Sequence, residues 1–203
     1  ADAPAPASAP MRWLLALARG ITLAYVTFFR GTPLFVQILL MHFAVMPLFI
    51  HPVSGLLIDG ELARTLKQEH GALISGIAAL TLNSAAYISE VFRAGIQSIS
   101  KGQFDAGRSL GFTPMQVMRY VVLPQALRIA TPALGNEVVS LLKATALVST
   151  ITVFDLTGVA RRLSNESYTT DALVLAGVVY GALTLLISAG VHFLERRRKS
   201  HAA

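Results

Sequence analysis

Long apolar blocks separated by charged segments restrict what this chain can fold into. Hydrophobic residues make up 54% of its 203 residues and charged residues only 14%, whereas about a quarter of the residues in soluble domains are charged. The blocks approach or exceed the ~20 residues that an apolar helix needs to cross a bilayer. Because lipid offers no hydrogen bonds to the backbone, such blocks form helices. The sequence therefore predicts an all-α polytopic membrane protein.

The apolar blocks divide the chain into predicted segments. Residues 1–10 are rich in Ala and Pro and are predicted to be a disordered lead-in. Residues 11–32 are predicted to form an interfacial helix, because Arg19 interrupts their apolar run and an arginine at mid-bilayer is costly. The transmembrane domain covers residues 33–197, and a basic tail occupies residues 198–203. The four predicted spans of this domain cover about 33–50, 72–91, 125–153 and 172–194.

Basic residues are distributed unevenly among the segments between the spans. They are concentrated before the first span, in the loop at residues 100–124 and at the C-terminus, whereas acids offset them in the other two loops. This alternation follows the positive-inside rule and predicts that the three basic segments, including the C-terminus, are cytoplasmic. Topology therefore accounts for the formal net charge of +6 without a nucleic-acid partner.

The sequence contains none of the motifs that would indicate an enzyme. A phosphate-binding loop of the form G-x-x-x-x-G-K-[ST] is absent, as are H-E-x-x-H and G-x-S-x-G. There are no cysteines, and the histidines lack the spacing of metal ligands. We therefore predict a protein that is not an enzyme and that has no catalytic residues, no metal site and no cofactor of its own.

The loop at residues 100–124 carries signals for two short helices. The first helix is expected to begin with a capping box formed by Ser100 and Gln103 and to end at Gly111, which suits the left-handed position just past a helix. It presents a charge, small residues and one apolar side chain, namely Asp105, Ala106, Gly107 and Leu110. Because small residues allow another surface to approach closely, we expect this helix to lie in a groove of a partner protein. The alternative is an amphipathic segment on lipid headgroups.

Further start and stop signals are associated with prolines. Thr113 and Gln116 match a second capping box within the loop. Thr32 is expected to cap the first span, with the proline that follows it in the first helical position. Pro124 is expected to push Leu123 out of helical geometry and to break the chain before the third span.

Polar and ionisable side chains occur within two of the predicted spans. Glu90 and Arg93 are three residues apart and are predicted to form an ion pair. Asn136, Ser140 and Lys143 are spaced i, i+4 and i+7, which predicts one helix face. Such groups serve either a substrate pathway or hydrogen bonds and salt bridges between spans. The candidates are Asn83 and Tyr87 on the second span and Asn136, Glu137, Ser140 and Lys143 on the third.

The loop resembles the signature loop of ABC importer permease subunits. Its residues Asp105-Ala-Gly-x-x-x-Gly111, followed after nine residues by Val121-x-Leu-Pro124, are similar to that family's Glu-Ala-Ala-x-x-x-Gly, nine residues and Ile-x-Leu-Pro. Three further segments resemble the branch that imports polar amino acids of the His, Glu, Gln, Arg and opine type. They lie at residues 29–37, 89–98 and 132–143, and the whole resemblance extends from about Leu17 to Arg197.

This resemblance implies a fold, a function and a set of partners. The fold would be the helical bundle of a type I ABC importer permease, similar to methionine importer permeases but lacking the family's first span. The chain would lie in the bacterial cytoplasmic (inner) membrane and form the translocation pathway with a second permease subunit, the same or a related one. ATP and Mg²⁺ would bind a separate cytoplasmic ATPase dimer, and an external amino-acid-binding protein would deliver the substrate. Residues 103–111 would be the coupling helix, seated in a cleft of the ATPase.

The resemblance also implies roles for individual residues. The polar residues of the spans would contact a substrate that carries a carboxylate and an ammonium group. The sequence departs from the family pattern at Asp105 and Gly107, which replace Glu and Ala, and at Ala144, which stands where the family often has Asp. The motifs do not identify the amino acid, and the alternatives are a permease for another small solute or an ATP-independent channel or carrier subunit. The implied ATPase-coupling residues are Gln103, Asp105, Ala106, Gly107, Leu110, Gly111, Leu123 and Pro124.

Overall fold

Helices form almost the whole of the part of the chain that the structure, a computed structural model, describes: residues 9–200, with side chains up to residue 193. An isolated bridge between Ile50 and Ile58 is the only β pairing among these residues, so the predicted all-α class is confirmed. Seven helices follow one another in this part of the chain. They are α1 (Ala9–Gly31), α2 (Leu34–Phe49), α3 (Gly60–Gln97), α4 (Lys101–Ser109), α5 (Pro114–Ile151), α6 (Leu156–Ser167) and α7 (Asp171–Ser200).

Four of the described helices are long and apolar enough to cross a membrane. By length and composition they are α1, α3, α5 and the Asp171–Phe193 part of α7. The second, third and fourth predicted spans coincide with parts of α3, α5 and α7, whereas α2, which covers the predicted first span, is shorter than the ~20 residues that a span needs. Because α1 has a mean hydropathy of 1.2 and a length of 23 residues, it also suits a span, and its interfacial placement stays a prediction.

The ends of the described region differ from the predicted segments. Ala9 and Pro10 already belong to α1 rather than to a disordered lead-in, since a proline is tolerated in the first turn of a helix; residues 1–8 lie outside the described residues. At the other end, α7 continues to Ser200 through the first part of the predicted basic tail. Residues 201–203 lie outside the described residues as well.

The cap of α2 is Pro33 and not Thr32, contrary to the prediction. The Thr32 hydroxyl donates a hydrogen bond to the Phe28 carbonyl at 2.8 Å and accepts one from Gln37 Nε2 at 2.8 Å. Thr32 therefore completes the end of α1 and holds a side chain of α2, so its oxygen is not available to cap the backbone amides of that helix.

Pro124 does not interrupt α5, which corrects the predicted break. Leu123 has helical angles, φ −61° and ψ −42°, and a π-helical turn at Val117–Val122 lies directly before it. In regular α-helix the ring of a proline clashes with the carbonyl four residues earlier and leaves that carbonyl without its donor. A π turn is wider and accommodates the ring. Helix α5 consequently runs without a break from the loop into the transmembrane region.

Two clusters of buried apolar side chains pack on α5 at different levels, one with residues of α2 and α3 and the other with Ile99 just after α3. Helices α3 and α5 approach closely where small residues face each other. A Cβ on Gly95, for example, would lie only 3.0 Å from the Ala126 carbonyl oxygen. Between the two clusters, polar side chains from the centre of α3 and α5 surround a cavity. One cluster consists of Ile38, Ala79, Val148 and Ile151, and the other of Ile99, Val117, Val122 and Ala126.

Candidate functional site: the loop hairpin and the central cavity

The loop hairpin, defined as α4 and the first turns of α5 (residues 100–124), begins differently from the prediction. Ser100 is the N-cap of α4, but its side chain makes no capping hydrogen bond, so the predicted capping box is wrong. The Gln103 side-chain oxygen instead accepts a hydrogen bond from Gln125 Nε2 at 3.1 Å. That bond occupies the acceptor which a capping box would have turned back to Ser100.

The turn between the two helices of the loop hairpin forms as predicted. Gly111 has φ +80°, and its amide and that of Phe112 donate to the carbonyls of Arg108 and Gly107 at 2.9 and 3.2 Å. These two bonds are the Schellman pattern that ends a helix at a left-handed residue. Thr113 then starts α5 with a complete capping box: its amide donates to Gln116 Oε1, and its hydroxyl accepts from the Gln116 amide.

Gly107 faces the inside of the loop hairpin, which corrects its predicted role as a bare patch for a partner. The residue is buried, and a Cβ there would lie 3.0 Å from Val117 Cγ2 in α5. Its missing side chain therefore lets α4 and α5 pack together. Among the other predicted coupling residues of α4 and the residue that follows it, Gln103, Asp105, Ala106 and Leu110 are exposed.

A central cavity of about 380 Å³ opens between α3, α5 and the turn that joins α1 to α2. Four of the six predicted substrate-pathway residues line it, two from each long helix: Asn83 and Tyr87 from α3, and Glu137 and Ser140 from α5. Glu137 is half-buried there, and Ser84 contributes a further hydroxyl. The cavity thus brings together side chains of α3 and α5 that are at least 50 residues apart in the sequence.

The structure separates the other two predicted pathway residues from this group. Asn136 lines a second cavity of about 230 Å³ between α5 and α7, where Ser188 and His192 are among its neighbours. Lys143 is exposed and lines neither cavity. The face of α5 that borders the central cavity is displaced from the predicted face of Asn136, Ser140 and Lys143. It consists of Glu137, Ser140, Leu141 and Ala144, which are spaced i, i+3, i+4 and i+7.

An amide pair that the sequence reasoning missed holds the wall of the central cavity. Asn83 Nδ2 donates to Gln37 Oε1 at 2.9 Å and to the Phe29 carbonyl at 3.1 Å. Gln37 Nε2 donates to the same carbonyl at 2.9 Å and to the Thr32 carbonyl at 3.0 Å. Two sequence signals mark Gln37: it is a lone amide in an apolar run after the Gly-Thr-Pro turn, and it ends the family-like segment at residues 29–37. Because its amide is used in this way, Asn83 positions the α1–α2 turn beside the cavity.

An ion-pair cluster lies beside the central cavity near the C-terminal end of α3. Glu90 pairs with Arg93 as predicted, and it also lies 3.6 Å from Arg30 Nη1 at the end of α1. The Arg30 guanidinium sits over the ring of Tyr87, 5.5 Å from its centroid, a distance at which a cation is attracted to the ring. Arg30 was not among the predicted site residues, and it joins the end of α1 to α3.

The chemistry of the central cavity follows from one carboxylate and several neutral hydrogen-bonding groups. Glu137 supplies the only carboxylate among the described residues that line it, and Ser84, Tyr87 and Ser140 supply hydroxyls. A carboxylate attracts ammonium and guanidinium groups, while hydroxyls both donate and accept. Ligand sites have volumes of about 300–1,000 Å³, and the cavity lies within that range. It can therefore hold a small polar molecule that carries a positive group.

Comparison with known proteins identifies the family. A sequence profile for the binding-protein-dependent transport system inner membrane component matches residues 7–200. The chain belongs to this family. It is therefore a membrane component of a transport system and not an enzyme, and permeases of ABC transporters work with an ATPase and a binding protein. The resemblance to ABC importer permeases that the loop signature indicated is confirmed.

Individual relatives agree with this assignment. The chain is 35% identical over 189 residues to a protein named probable glutamine ABC transporter permease from Bacillus subtilis (strain 168), covering 93% of this chain and 76% of the relative. A crystal structure of an amino acid ABC transporter with histidines matches at 36% identity with a TM-score of 0.71, covering 86% of this chain and 73% of that chain. An inward-facing MetNI methionine ABC transporter matches at 22% identity with a TM-score of 0.56, covering 94% and 99%. This second structure confirms the predicted permease fold alone.

Proposed function

We propose that this chain is the membrane-spanning subunit of an ATP-driven importer of polar amino acids. It forms the translocation pathway together with a second permease subunit, either another copy or a related chain. An external binding protein delivers the amino acid, and a cytoplasmic ATPase dimer that binds ATP and Mg²⁺ supplies the energy. The names of the similar permeases, which include glutamine and amino acid transporters, support this substrate class.

The central cavity is the observation that carries the proposal. Its wall places the Glu137 carboxylate opposite hydroxyl groups of α3, between the two long helices that would move against each other during transport. The carboxylate attracts the ammonium group of an amino acid, and Ser140 and Tyr87 offer hydrogen bonds to its polar atoms. Because Glu137 supplies the only carboxylate among the described residues that line the cavity, neutral and basic amino acids both suit its charge, whereas acidic ones are repelled.

The exposed side of the loop hairpin supports the proposed docking of the ATPase. Leu110, the residue that ends α4, is 75% exposed, and the exposed Asp105 and Ala106 lie in the helix before it. An apolar side chain standing out of a helix with little side-chain bulk around it suits a groove on a partner. The basic residues of the loop and of the C-terminus predict, under the positive-inside rule, that both lie in the cytoplasm, where the proposed ATPase would dock.

Uptake into liposomes tests the proposed function. The chain is reconstituted with its ATPase and receptor subunits, and uptake of each of the twenty common L-amino acids is measured with and without ATP. We expect ATP-dependent uptake of polar amino acids, reduced at least about tenfold by Glu137→Gln, because loss of a charge-assisted contact weakens binding by that order. Glu61→Gln, the same substitution at a side chain that is 89% exposed, is the matched control and should leave uptake unchanged.

Two results would contradict the proposal. Uptake by liposomes that contain only this chain would indicate an ATP-independent channel or carrier. ATP-dependent uptake of a sugar or an oxyanion, with no uptake of any amino acid, would indicate a permease for another solute.

A further inference from the structure

A hydrogen bond between two glutamine side chains connects α4 to the beginning of α5. Gln125 Nε2 donates to Gln103 Oε1 at 3.1 Å and to the Val121 carbonyl at 2.8 Å. A backbone carbonyl can only accept a hydrogen bond. The bond to Val121 therefore fixes the orientation of the Gln125 amide, with its nitrogen toward Gln103, and makes Gln103 the acceptor.

The two glutamines lie beside the tightest packing in the loop hairpin. Gly107 of α4 touches Val117, and Val117 belongs to the buried cluster that includes Val122 and Ala126 of α5. Helix α5 then continues through Pro124 without a break to Glu137 at the central cavity. Twelve residues of helix separate Gln125 from Glu137, a distance of about 18 Å along the axis.

The position of the glutamine pair suits a role in coupling the movements of α4 and α5 better than a role in stabilising the folded protein. Gln103 is exposed and Gln125 half-buried, so the bond is partly accessible to water and contributes little net stability. Apolar packing holds α4 against α5, but hydrophobic burial is not directional and does not by itself fix the rotation of one helix relative to the other. A hydrogen bond between side chains 22 residues apart is directional and fixes the register of the two helices.

We propose that Gln103 and Gln125 are a positioning pair that makes α4 and α5 move as one body, so that a displacement of α4 reaches the central cavity. This inference rests on the proposed function, because it assumes that the ATPase moves α4. Without the pair, ATP is still hydrolysed as long as α4 stays docked on the ATPase, but part of the movement is lost as rotation of α4 relative to α5. The pair thus determines how much transport follows from each ATP.

The first experiment measures amino acid taken up per ATP hydrolysed by the full complex in liposomes, with a mixture of the twenty common L-amino acids. Gln125→Leu removes the donor at a residue of α5 that is not among the predicted coupling residues, and Gln103→Leu removes the acceptor. Both should lower the ratio about fivefold, as loss of one hydrogen bond does, while receptor-stimulated ATP hydrolysis persists. Gln103→Glu keeps an acceptor and should retain the ratio. The double substitution Gln103→Lys with Gln125→Glu restores a donor–acceptor pair and should recover it.

The second experiment measures the movement itself and needs no substrate. Because the chain has no cysteines, spin labels can be attached to cysteines introduced at the exposed Arg108 and Arg128. In the wild-type complex we expect one narrow distance distribution that is the same before and after ATP is trapped with vanadate. Gln103→Leu should broaden this distribution, and Gln103→Glu should leave it narrow.

The outcomes separate this inference from the proposed function. If Gln125→Leu and Gln103→Leu keep the wild-type uptake per ATP and a narrow label distance, or if both lose uptake only because the ATPase dissociates, the positioning role is refuted while the importer remains. If the wild-type complex takes up no amino acid, the proposed function is refuted, and the label distances alone then decide whether the pair holds α4 and α5 together.

Discussion

The Asn83 side chain donates a hydrogen bond to Gln37 Oε1 at 2.9 Å and so joins the middle of α3 to α2. Both side chains are buried, 8% and 4% exposed, and both also donate to the Phe29 carbonyl at the end of α1. Three helices are therefore held by two amides at the edge of the central cavity. A buried amide that loses its partner remains desolvated without a compensating bond, which makes each residue depend on the other.

Removal of one amide of this pair should destabilise the protein by more than the hydrogen bond that is lost, because the partner amide stays buried without its partner. We expect Gln37→Leu or Asn83→Leu to lower the free energy of unfolding by about 1–3 kcal/mol, the cost of an unpaired buried polar group. The double substitution should cost less than the sum of the two single ones, because it leaves neither amide unpaired. Thermal unfolding in detergent measures this, with Gln68→Leu at an exposed position of α3 as control. Strictly additive losses would contradict the coupling.

A side chain at Gly107 should push α4 away from α5 by a few tenths of an ångström unless Val117 is made smaller. A Cβ on Gly107 would lie 3.0 and 3.3 Å from the two γ-methyl groups of Val117, and a β-branched side chain in a helix cannot rotate away. We expect Gly107→Ala to separate α4 from α5 and to reduce the amount of ATPase that copurifies with the chain. Adding Val117→Ala should restore both the packing of α4 against α5 and the amount of copurifying ATPase.

Gly102 provides the matched control for this substitution. It lies in the same short helix, but a Cβ there would come no closer than 4.0 Å to the Ser100 Oγ. Gly102→Ala should therefore stabilise α4 by up to about 1 kcal/mol through helix propensity alone. Equal effects of alanine at residues 102 and 107 on ATPase copurification would show that contact with Val117 does not matter.

The parts of the loop hairpin that could be predicted are those that nearby residues determine. Gly111 and the Thr113 capping box depend on hydrogen bonds within five residues of each other, and both were predicted correctly. The Ser100 capping box failed because Gln103 is bonded to Gln125, which is distant in sequence. Pro124 was expected to break the helix because the π turn that accommodates it has no signal in local residue preferences.

The candidate site was predictable in composition but not in detail. Polar residues in apolar helices indicate an interior face, and this reasoning found Asn83, Tyr87, Glu137 and Ser140. It could not decide which side of α5 faces the cavity, because that depends on where α3 and the α1–α2 turn pack. Asn136 and Lys143 were therefore grouped with the wrong face. Gln37 and Arg30 were missed because their partners lie in other helices.

Gly111 should show separate effects of backbone conformation and of side-chain size. Its φ of +80° lies in the left-handed region, where a residue with a Cβ is strained, yet no atom lies within 4 Å of the position that a Cβ would take. We expect Gly111→Ala and Gly111→Leu to lower the free energy of unfolding by the same amount, about 1–2 kcal/mol. Gly111→Asn should cost less, since asparagine tolerates this conformation.

Comparison of the same variants in the assembled complex tests the docking of the loop hairpin. If the ATPase covers this turn, Gly111→Leu should lose copurifying ATPase, while Gly111→Ala should retain it at a temperature where both are folded. The difference between leucine and alanine reports the partner because strain affects them equally. Retention of the ATPase by both variants would place this turn outside the contact surface.

A second carboxylate in the central cavity should change which amino acids are taken up. Ala144 lies on the cavity face seven residues after Glu137, so Ala144→Asp adds a negative charge about 10 Å further along α5. We expect uptake of arginine to rise relative to glutamine by up to about fivefold, the effect of one partly solvated ion pair. Competition between the two labelled amino acids in liposomes measures this ratio.

Thr145→Asp makes the same change of charge at a neighbouring residue that does not line the cavity and should leave the ratio unchanged. An equal shift in both variants would mean that the general charge of the membrane surface, and not the cavity wall, selects the substrate.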